Sequence, residues 1–424
     1  MHILILALHY SPDLGPSAPL FTMLGSGLAK RGHRVSVITT VPHYPSGSVP
    51  SPFRGRKMRR TFEEGVEVIR VPLPSLDRAK LGNRLVQFAC YQAMAAVAGL
   101  GLQYDVVLVG GPSLVNWFPL ACLVALRGKP AIYSVHDLYP DVGVTLGIFR
   151  HRFVIRTVAG MERFCMKRSK TVRISSESFR PGVRALGVSD SKMALVYDWV
   201  DMELIRPMPK DNAFAREHGL ADKFVVLYAG NLGLSQGLQH VLAVADLLKD
   251  REDIRFVLVG EGAGLDSLRK YADEHDLQNV QFIPFQPRGR LPEVHATADV
   301  SLVTLQKGVG TASIPSKTFS ILASGCPVLA SVDEESDPWN LVRSSGAGIC
   351  VPPESPKELA DSILALRRDA EMRSRLGANG LCWAQKYHSP ESAAEQFERL
   401  FAAALANKGN SLENYGPVQS KGSL

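Results

Sequence analysis

A chain of 424 residues is longer than one ordinary core and suits two domains of about 200 residues each. With 46% hydrophobic and 21% charged residues it is neither disordered, collagen-like nor a polytopic membrane protein. The net charge of +7 hides an asymmetry: residues 1–200 hold 25 Lys+Arg against 12 Asp+Glu, a balance of +13, while residues 201–424 hold 23 against 29, a balance of −6.

The N-terminal run Ile3–Leu8 has no basic stretch before it and breaks off within ten residues, so it reads as a first strand rather than a signal peptide. From there, short apolar runs ending in turn residues alternate with amphipathic stretches and predict βα units around parallel sheets. In the first half the expected strands are Ile3–Leu8, Val35–Thr39, Val66–Val71, Val106–Val109, Ala131–Val135, Thr171–Ile174 and Ala194–Val196. In the second half they are Val225–Ala229, Arg255–Val259, Val280–Ile283, Val300–Val303, Val328–Ser331 and Gly348–Val351. The fold class is α/β, two doubly wound Rossmann-like domains, and the prolines of Leu204–Pro209 mark the linker between them. Residues 106–126 are uncharged, but Gly110-Gly111-Pro112-Ser113 would break a spanning helix, leaving a strand and a helix. The uncharged segment 85–103 is read as a buried helix, with a helix lying on a bilayer surface as the alternative. Ser389-Pro390-Glu391 starts an amphipathic helix, and residues 407–424 are expected to be a disordered tail.

Ligands of doubly wound sheets bind beyond the carboxyl ends of the strands. Five loops there carry chemistry. Tyr10–Ser17 brings Gly15 to a helix start, where its amide could approach a phosphate, although a tight turn explains Gly15 equally well. Ser134–Asp141 sets His136 and Asp137 at a strand end, a candidate for hydrogen bonding or proton transfer to a substrate. Gly230, Asn231, Gly233 and Gln236 follow one strand of the second half, and Gly260, Gly262 and Gly264 the next. Residues 308–317 form a glycine-bearing entry to a helix, with Ile314, Pro315, Ser316 and Ser320 around Lys317. A lysine in a first turn inverts the usual preference for an acid there and points to an anion.

The densest basic cluster is Arg54, Arg56, Lys57, Arg59 and Arg60; it is read as an acceptor or membrane contact, with a plain solvated loop as the other reading. No aromatic residues interleave these cations, so no nucleic-acid partner is expected. No D-x-D pair and no His/Cys/Asp/Glu cluster with metal spacing occurs, so no metal and no cofactor are expected. Six widely spaced cysteines are read as reduced thiols, which suggests a cytoplasmic protein.

Taken in order, "HYSPDLGPSA…LAKRGHRVSVIT", "ISSESFRPGVRALGV…VYDWVDMELIRP", "VVLYAGNLGLSQGL", "VLVGEGAG", "NVQFIPF…ATADVSLV" and "PSKTFSILASGCPVLA" resemble glycosyltransferase family four, the retaining enzymes of GT-B fold. The nearest branch builds exopolysaccharide, colanic acid and O-antigen. The resemblance implies two Rossmann-like domains facing a cleft, with an acceptor domain at 1–205, a nucleotide-sugar domain at 206–385 and a helix at 386–406 crossing back to the first. It implies transfer of a sugar from a nucleotide diphosphate sugar, with uridine favoured by family habit, to a saccharide or polyprenyl-pyrophosphate-linked saccharide. No metal is then needed, and the enzyme would be cytoplasmic or peripheral on an anionic membrane surface.

The resemblance also places His136 at the sugar or acceptor hydroxyl, Phe285 near the base and Gly15 towards the donor. Two phosphate-holding cations usual in the family are replaced by Asn231 and Gln236, and two usual glutamates by Ala312 and Ser320. Lys317 is expected to neutralise the pyrophosphate in their stead. A sugar-nucleotide epimerase of the same architecture and a non-catalytic nucleotide-sugar-binding homologue stay open.

Overall fold

The computed structural model describes residues 1–78, 80–145, 149–308, 315–334 and 336–406. The chain divides into two compact units: Met1–Asp198 together with the C-terminal segment from Pro390, and Trp199–Ser389. The division falls at Asp198/Trp199 rather than at 205, because Val200 and Ile205 are already buried in the core of the second unit. Residues 204–209, expected as a linker, therefore belong to that unit, and the return begins at Pro390 rather than 386. The expected tail at 407–424 lies outside the described residues.

The strands of the first unit are β1 (His2–Leu6), β2 (Arg34–Thr40), β3 (Arg59–Glu63), β4 (Val66–Val71), β5 (Val106–Gly110), β6 (Ala131–Val135), β7 (Thr171–Ile174) and β8 (Met193–Leu195). They form one sheet in the order β3-β4-β2-β1-β5-β6-β7-β8. All neighbours are parallel except β3, which pairs antiparallel with β4. The central strands are buried on both faces, which is why they read as unbroken apolar runs. β3 was not expected. Its sequence is charged and mostly exposed, and it exists because Glu64 (φ 48°) and Gly65 (φ 81°) make a two-residue turn that folds it back on β4. Arg59 and Arg60 thus lie on an edge strand, not in a loop.

The two uncharged stretches become the helices Leu81–Leu100 and Ser113–Arg127, which pack on one another. A side chain at Gly99 would come within 3.0 Å of Leu123, so the missing Cβ lets the helices close. Between them, the Tyr91 hydroxyl donates to Asn116 at 3.1 Å, and the Asn116 amide donates to the Gly110 carbonyl at 2.6 Å. Among the described residues no helix is long and apolar enough to cross a membrane.

The helix Pro390–Leu405 lies against the helix Ala18–Lys30, where Gly27 faces Ala394 and Glu398 accepts from Arg31 (2.7 Å) and contacts His33 (2.9 Å). It seals the sheet with Phe397 and Phe401, both buried.

The second unit is built on β9 (Phe224–Ala229), β10 (Ile254–Val259), β11 (Val280–Ile283), β12 (Val300–Thr304), β13 (Val328–Ser331) and β14 (Gly348–Val351), all parallel, in the order β11-β10-β9-β12-β13-β14. Helices such as Leu238–Leu247 and Pro356–Arg368 cover the sheet with Val241, Leu242, Ile363 and Leu366.

Burial of Phe401 makes the last helix part of the first core. Phe401→Ala is expected to lower the stability of that unit by about 3–5 kcal/mol, measured by urea denaturation with hydrogen exchange followed in β5 and β6, which the helix touches.

Candidate functional site

In the second unit the loop after β9 and the loop after β10 cross one another. The Leu232 amide donates to the Glu261 carbonyl and the Gly264 amide to the Leu232 carbonyl, both at 2.8 Å. A Cβ on Gly260 would stand 1.9 Å from the Gly230 oxygen, and one on Gly262 2.5 Å from the Leu232 carbonyl carbon. Gly230 (φ 149°) and Gly260 (φ 144°) also hold backbone conformations that side chains disfavour. The first demand on these glycines is thus the crossing itself, before any ligand. Asn231 is exposed on the outer turn, with Gly233 partly buried beside it.

The helix Lys317–Ser324 starts opposite this crossing and ends at Gly325 (φ 71°). Lys317 Nζ donates to Gln236 Oε1 at 2.9 Å and stands 3.8 Å from the centroid of the Tyr228 ring. The Tyr228 hydroxyl lies 2.9 Å from the same Gln236 oxygen and 2.8 Å from the Asn231 carbonyl. Burial pulls the Lys317 ammonium well below the usual lysine range. Among the described residues it has no carboxylate partner. It also sits at the positive end of a helix whose Ser316 makes no side-chain cap. Pro315 and Ser320 flank it, both partly buried. Phe285, two residues beyond β11, is 67% exposed and presents an open ring face. Ile314 and Ala312 lie outside the described residues.

In the first unit His136 follows β6 directly. Its Nε2 is 3.2 Å from Ser134 Oγ, its Nδ1 is 3.6 Å from Asp198, and its ring meets the edge of Phe21 at 5.6 Å between centroids. Asp137, next in the chain, is exposed over the residue as a whole, and partial burial of its carboxyl raises it above the usual carboxylate range. Arg173, buried in β7, donates to Asp198 at 2.6 Å and to Ser134 at 3.3 Å. Burial would raise the Asp198 carboxyl, but the Arg173 guanidinium and His136 outweigh it and hold the group well below the usual carboxylate range. Sequence reasoning missed Arg173 and Asp198. The available signal was an arginine between Val172 and Ile174 in a strand buried on both faces, since such a charge requires a partner.

Gly15 does not offer its amide to a ligand, because that amide donates to Asp13 Oδ1 at 3.1 Å and a side chain there would strike the His9 ring. Asp13 also accepts from the amides of His43 (3.3 Å) and Tyr44 (3.2 Å) and meets His9 Nδ1 at 3.0 Å and His43 Nδ1 at 3.2 Å. The expectation of no His/Cys/Asp/Glu cluster therefore needs correction: ligand atoms of His9, Asp13 and His43 lie within 4.8 Å of one another. The donor set fits a hydrogen-bond hub better than a metal. The carboxylate already takes three backbone amides, and His43 Nε2 faces Arg78 Nη1 at 2.6 Å, where a guanidinium would repel a cation.

Of the basic cluster, Arg54 and Arg59 donate to loop carbonyls, and Arg60 pairs with Glu67 at 3.1 Å. Arg56 and Lys57 stand exposed. One buried acid escaped sequence reading altogether: Glu162, which accepts from the Tyr133 hydroxyl at 2.6 Å and the Ser113 amide at 3.4 Å. Burial pushes its carboxyl up to about 7.

Residues 17–199 match the family described as "Glycosyl transferase 4-like domain" and residues 210–383 the family "Glycosyl transferases group 1". The colanic acid biosynthesis glycosyl transferase WcaI of Escherichia coli K12 is 28% identical over 374 residues, 86% of this chain and 91% of that one. The glycosyltransferase WbjE of Pseudomonas aeruginosa is 27% identical over 268 residues, 61% of this chain and 65% of its own length. Among solved structures, Anabaena HepE in complex with UDP superposes with a TM-score of 0.68 at 17% identity, covering 95% of this chain and all of that one.

Two outcomes follow from the buried charges. Asp198→Ala strips Arg173 of a carboxylate and is expected to cost roughly 3 kcal/mol of stability in urea denaturation, because the guanidinium stays buried. Glu162 has a folded value of about 7 against 4.5 for the free side chain, so the folded state holds its proton more tightly. Its contribution to stability is complete below pH 4.5 and is lost as pH rises through 7, by about 3 kcal/mol. Glu162→Gln should flatten that slope when the two proteins are denatured across pH 5 to 8.

Proposed function

The chain belongs to glycosyltransferase family four, in the branch that builds exopolysaccharide and O-antigen, and from that premise we propose a retaining, metal-independent transfer of sugar from a UDP-sugar to a polyprenyl-pyrophosphate-linked saccharide. Donor binding falls to the second unit and acceptor binding to the first. The observation that carries this reading is the contact of Lys317 with Gln236. Family resemblance puts a phosphate-holding lysine at position 236, and here a lysine from another element brings its Nζ to that side chain.

The chemistry follows from the charge that develops. Departure of the nucleotide places negative charge on its terminal phosphate while the sugar gains oxocarbenium character. Lys317 and the N-terminal amides of its helix oppose the first charge. An arriving diphosphate also gives the ammonium a counter-charge that no described residue supplies, so its proton is held more tightly once the donor is bound. Phe285 supplies a face for the base. On the first unit, His136 is held from two sides, by Ser134 and by the Arg173–Asp198 pair, and can bond a sugar or acceptor hydroxyl without losing its orientation. The departing phosphate takes the acceptor proton, so no separate protein base is required.

The test is a thermal-shift panel of UDP-, GDP-, ADP- and dTDP-sugars on wild type and Lys317→Ala. At 100 times its dissociation constant the donor should stabilise the wild type by about 2.7 kcal/mol, with UDP-sugars giving the shift and Lys317→Ala losing it. A shift equal in both proteins would refute the role of Lys317. Binding of the nucleotide sugar without turnover on any lipid-linked saccharide would favour a non-catalytic homologue.

A further inference from the structure

We propose that a pocket between Tyr44, Arg78 and Arg84 on the first unit holds the pyrophosphate of a prenyl-linked acceptor, with the isoprenoid chain running along the apolar start of the helix Leu81–Leu100. This rests on the transferase reading and deepens it, by assigning the acceptor's charged end to residues that the family motifs do not include.

The pocket has a volume of about 520 Å³ and is lined by Tyr44, Pro45, Ser46, Asp77, Arg78 and Arg84. Its walls are fixed from behind. Gln87, buried one turn beyond Arg84, reaches the carbonyls of Pro74 (3.0 Å) and Leu76 (3.4 Å), and the Arg78 amide donates to the Ser46 carbonyl at 3.1 Å. Gly47 lets the two loops meet, since a Cβ there would stand 2.0 Å from the Leu76 oxygen.

Arg78 is aimed by a relay that begins at Asp13. Asp13 holds His43 Nδ1, which leaves Nε2 as the acceptor for Arg78 Nη1 at 2.6 Å. The rings of Tyr44 and Phe88 each lie 5.8 Å from the same guanidinium. The buried Nε of Arg84 has no hydrogen-bond partner among the described residues. Among the described residues neither arginine forms an ion pair, and Asp77 is the one acid in the lining.

Two guanidiniums with donors to spare match the paired phosphates of a pyrophosphate, each fork taking oxygens in its own plane. Burial, followed by the charge of Arg84, pulls Arg78 below the usual arginine range, with Asp13 and Tyr44 offsetting part of the effect. An anion between the two would relieve that repulsion. The apolar rim selects the lipid-borne form of the ligand: Leu81 is 55% exposed and Leu85 52%, and the two flank Arg84 on the same two turns. Fully solvated sugar phosphates have no use for such a rim, whereas a prenyl chain does.

The full chain is titrated calorimetrically with geranyl pyrophosphate and with inorganic pyrophosphate, in a Lys317→Ala background that removes the anion contact of the second unit. Geranyl pyrophosphate should still bind this background, and Arg84→Gln made in it should weaken that binding roughly tenfold or more. Leu85→Ser should weaken geranyl pyrophosphate several-fold and leave inorganic pyrophosphate unchanged. Equal affinity with and without Arg84 overturns the proposal. Inorganic pyrophosphate binding as tightly as the geranyl compound overturns its lipid half and assigns the pocket to soluble phosphates. Should Arg84→Gln melt early, Arg84→Lys keeps the charge without the fork and must bind with intermediate affinity; wild-type affinity there counts against the proposal. Loss of UDP-sugar binding in Lys317→Ala is read separately, so donor and acceptor assignments can fail independently.

Discussion

A positive charge taken out of water needs an opposing charge or a dense set of acceptors, and the two units meet that requirement differently. In the first, Arg173 lies inside a strand and finds Asp198 at 2.6 Å, so the pair is complete and serves to hold His136. In the second, Lys317 finds an amide oxygen and an aromatic ring and, among the described residues, no carboxylate. The contrast separates a finished structural pair from a cation still short of an anion. Arg78 and Arg84 resemble the second case, at lower burial.

The parallel sheets explain why such groups collect where they do. Every parallel strand delivers its following loop to one edge of the sheet, so residues far apart in sequence become neighbours there. His136 follows β6 and Asp198 follows β8, and the loops after β9 and β10 touch closely enough to need glycine at 260, 262 and 264. Catalytic chemistry needs this gathering, and so do the backbone crossings that support it. The glycine motifs of the second unit accordingly report packing as much as ligand contact.

How much of this was legible in the sequence follows the same physics. Strands buried on both faces announce themselves as apolar runs, and all thirteen expected strands have counterparts in the two sheets. β3 did not, because an exposed edge strand carries no such run; only its two-residue turn, Glu64-Gly65, hinted at a hairpin. Lys317 stood out because it inverts a local preference at a helix start, yet its partner Gln236 lies 81 residues away and read only as a missing lysine. The Asp13–His43 contact and the Arg173–Asp198 pair join separate loops and strands, and spacing rules of metal or catalytic motifs do not span such distances. The domain boundary was placed by proline content, whereas burial of Val200 and Ile205 decides it.

The return of the chain at Pro390 makes the second unit an insertion within the first. On the ribosome, the eight strands of the first sheet are complete once β8 has emerged, but Phe397 and Phe401 do not exist until the whole second unit has been made. At roughly 5–20 residues per second that interval is on the order of ten seconds or more. Through it, the surface that those rings will cover faces solvent on the nascent chain, while the second unit, contiguous in sequence, can fold as soon as it clears the exit tunnel. The first-made unit is therefore the last to be finished, its core closed only by the final helix of the chain's described residues.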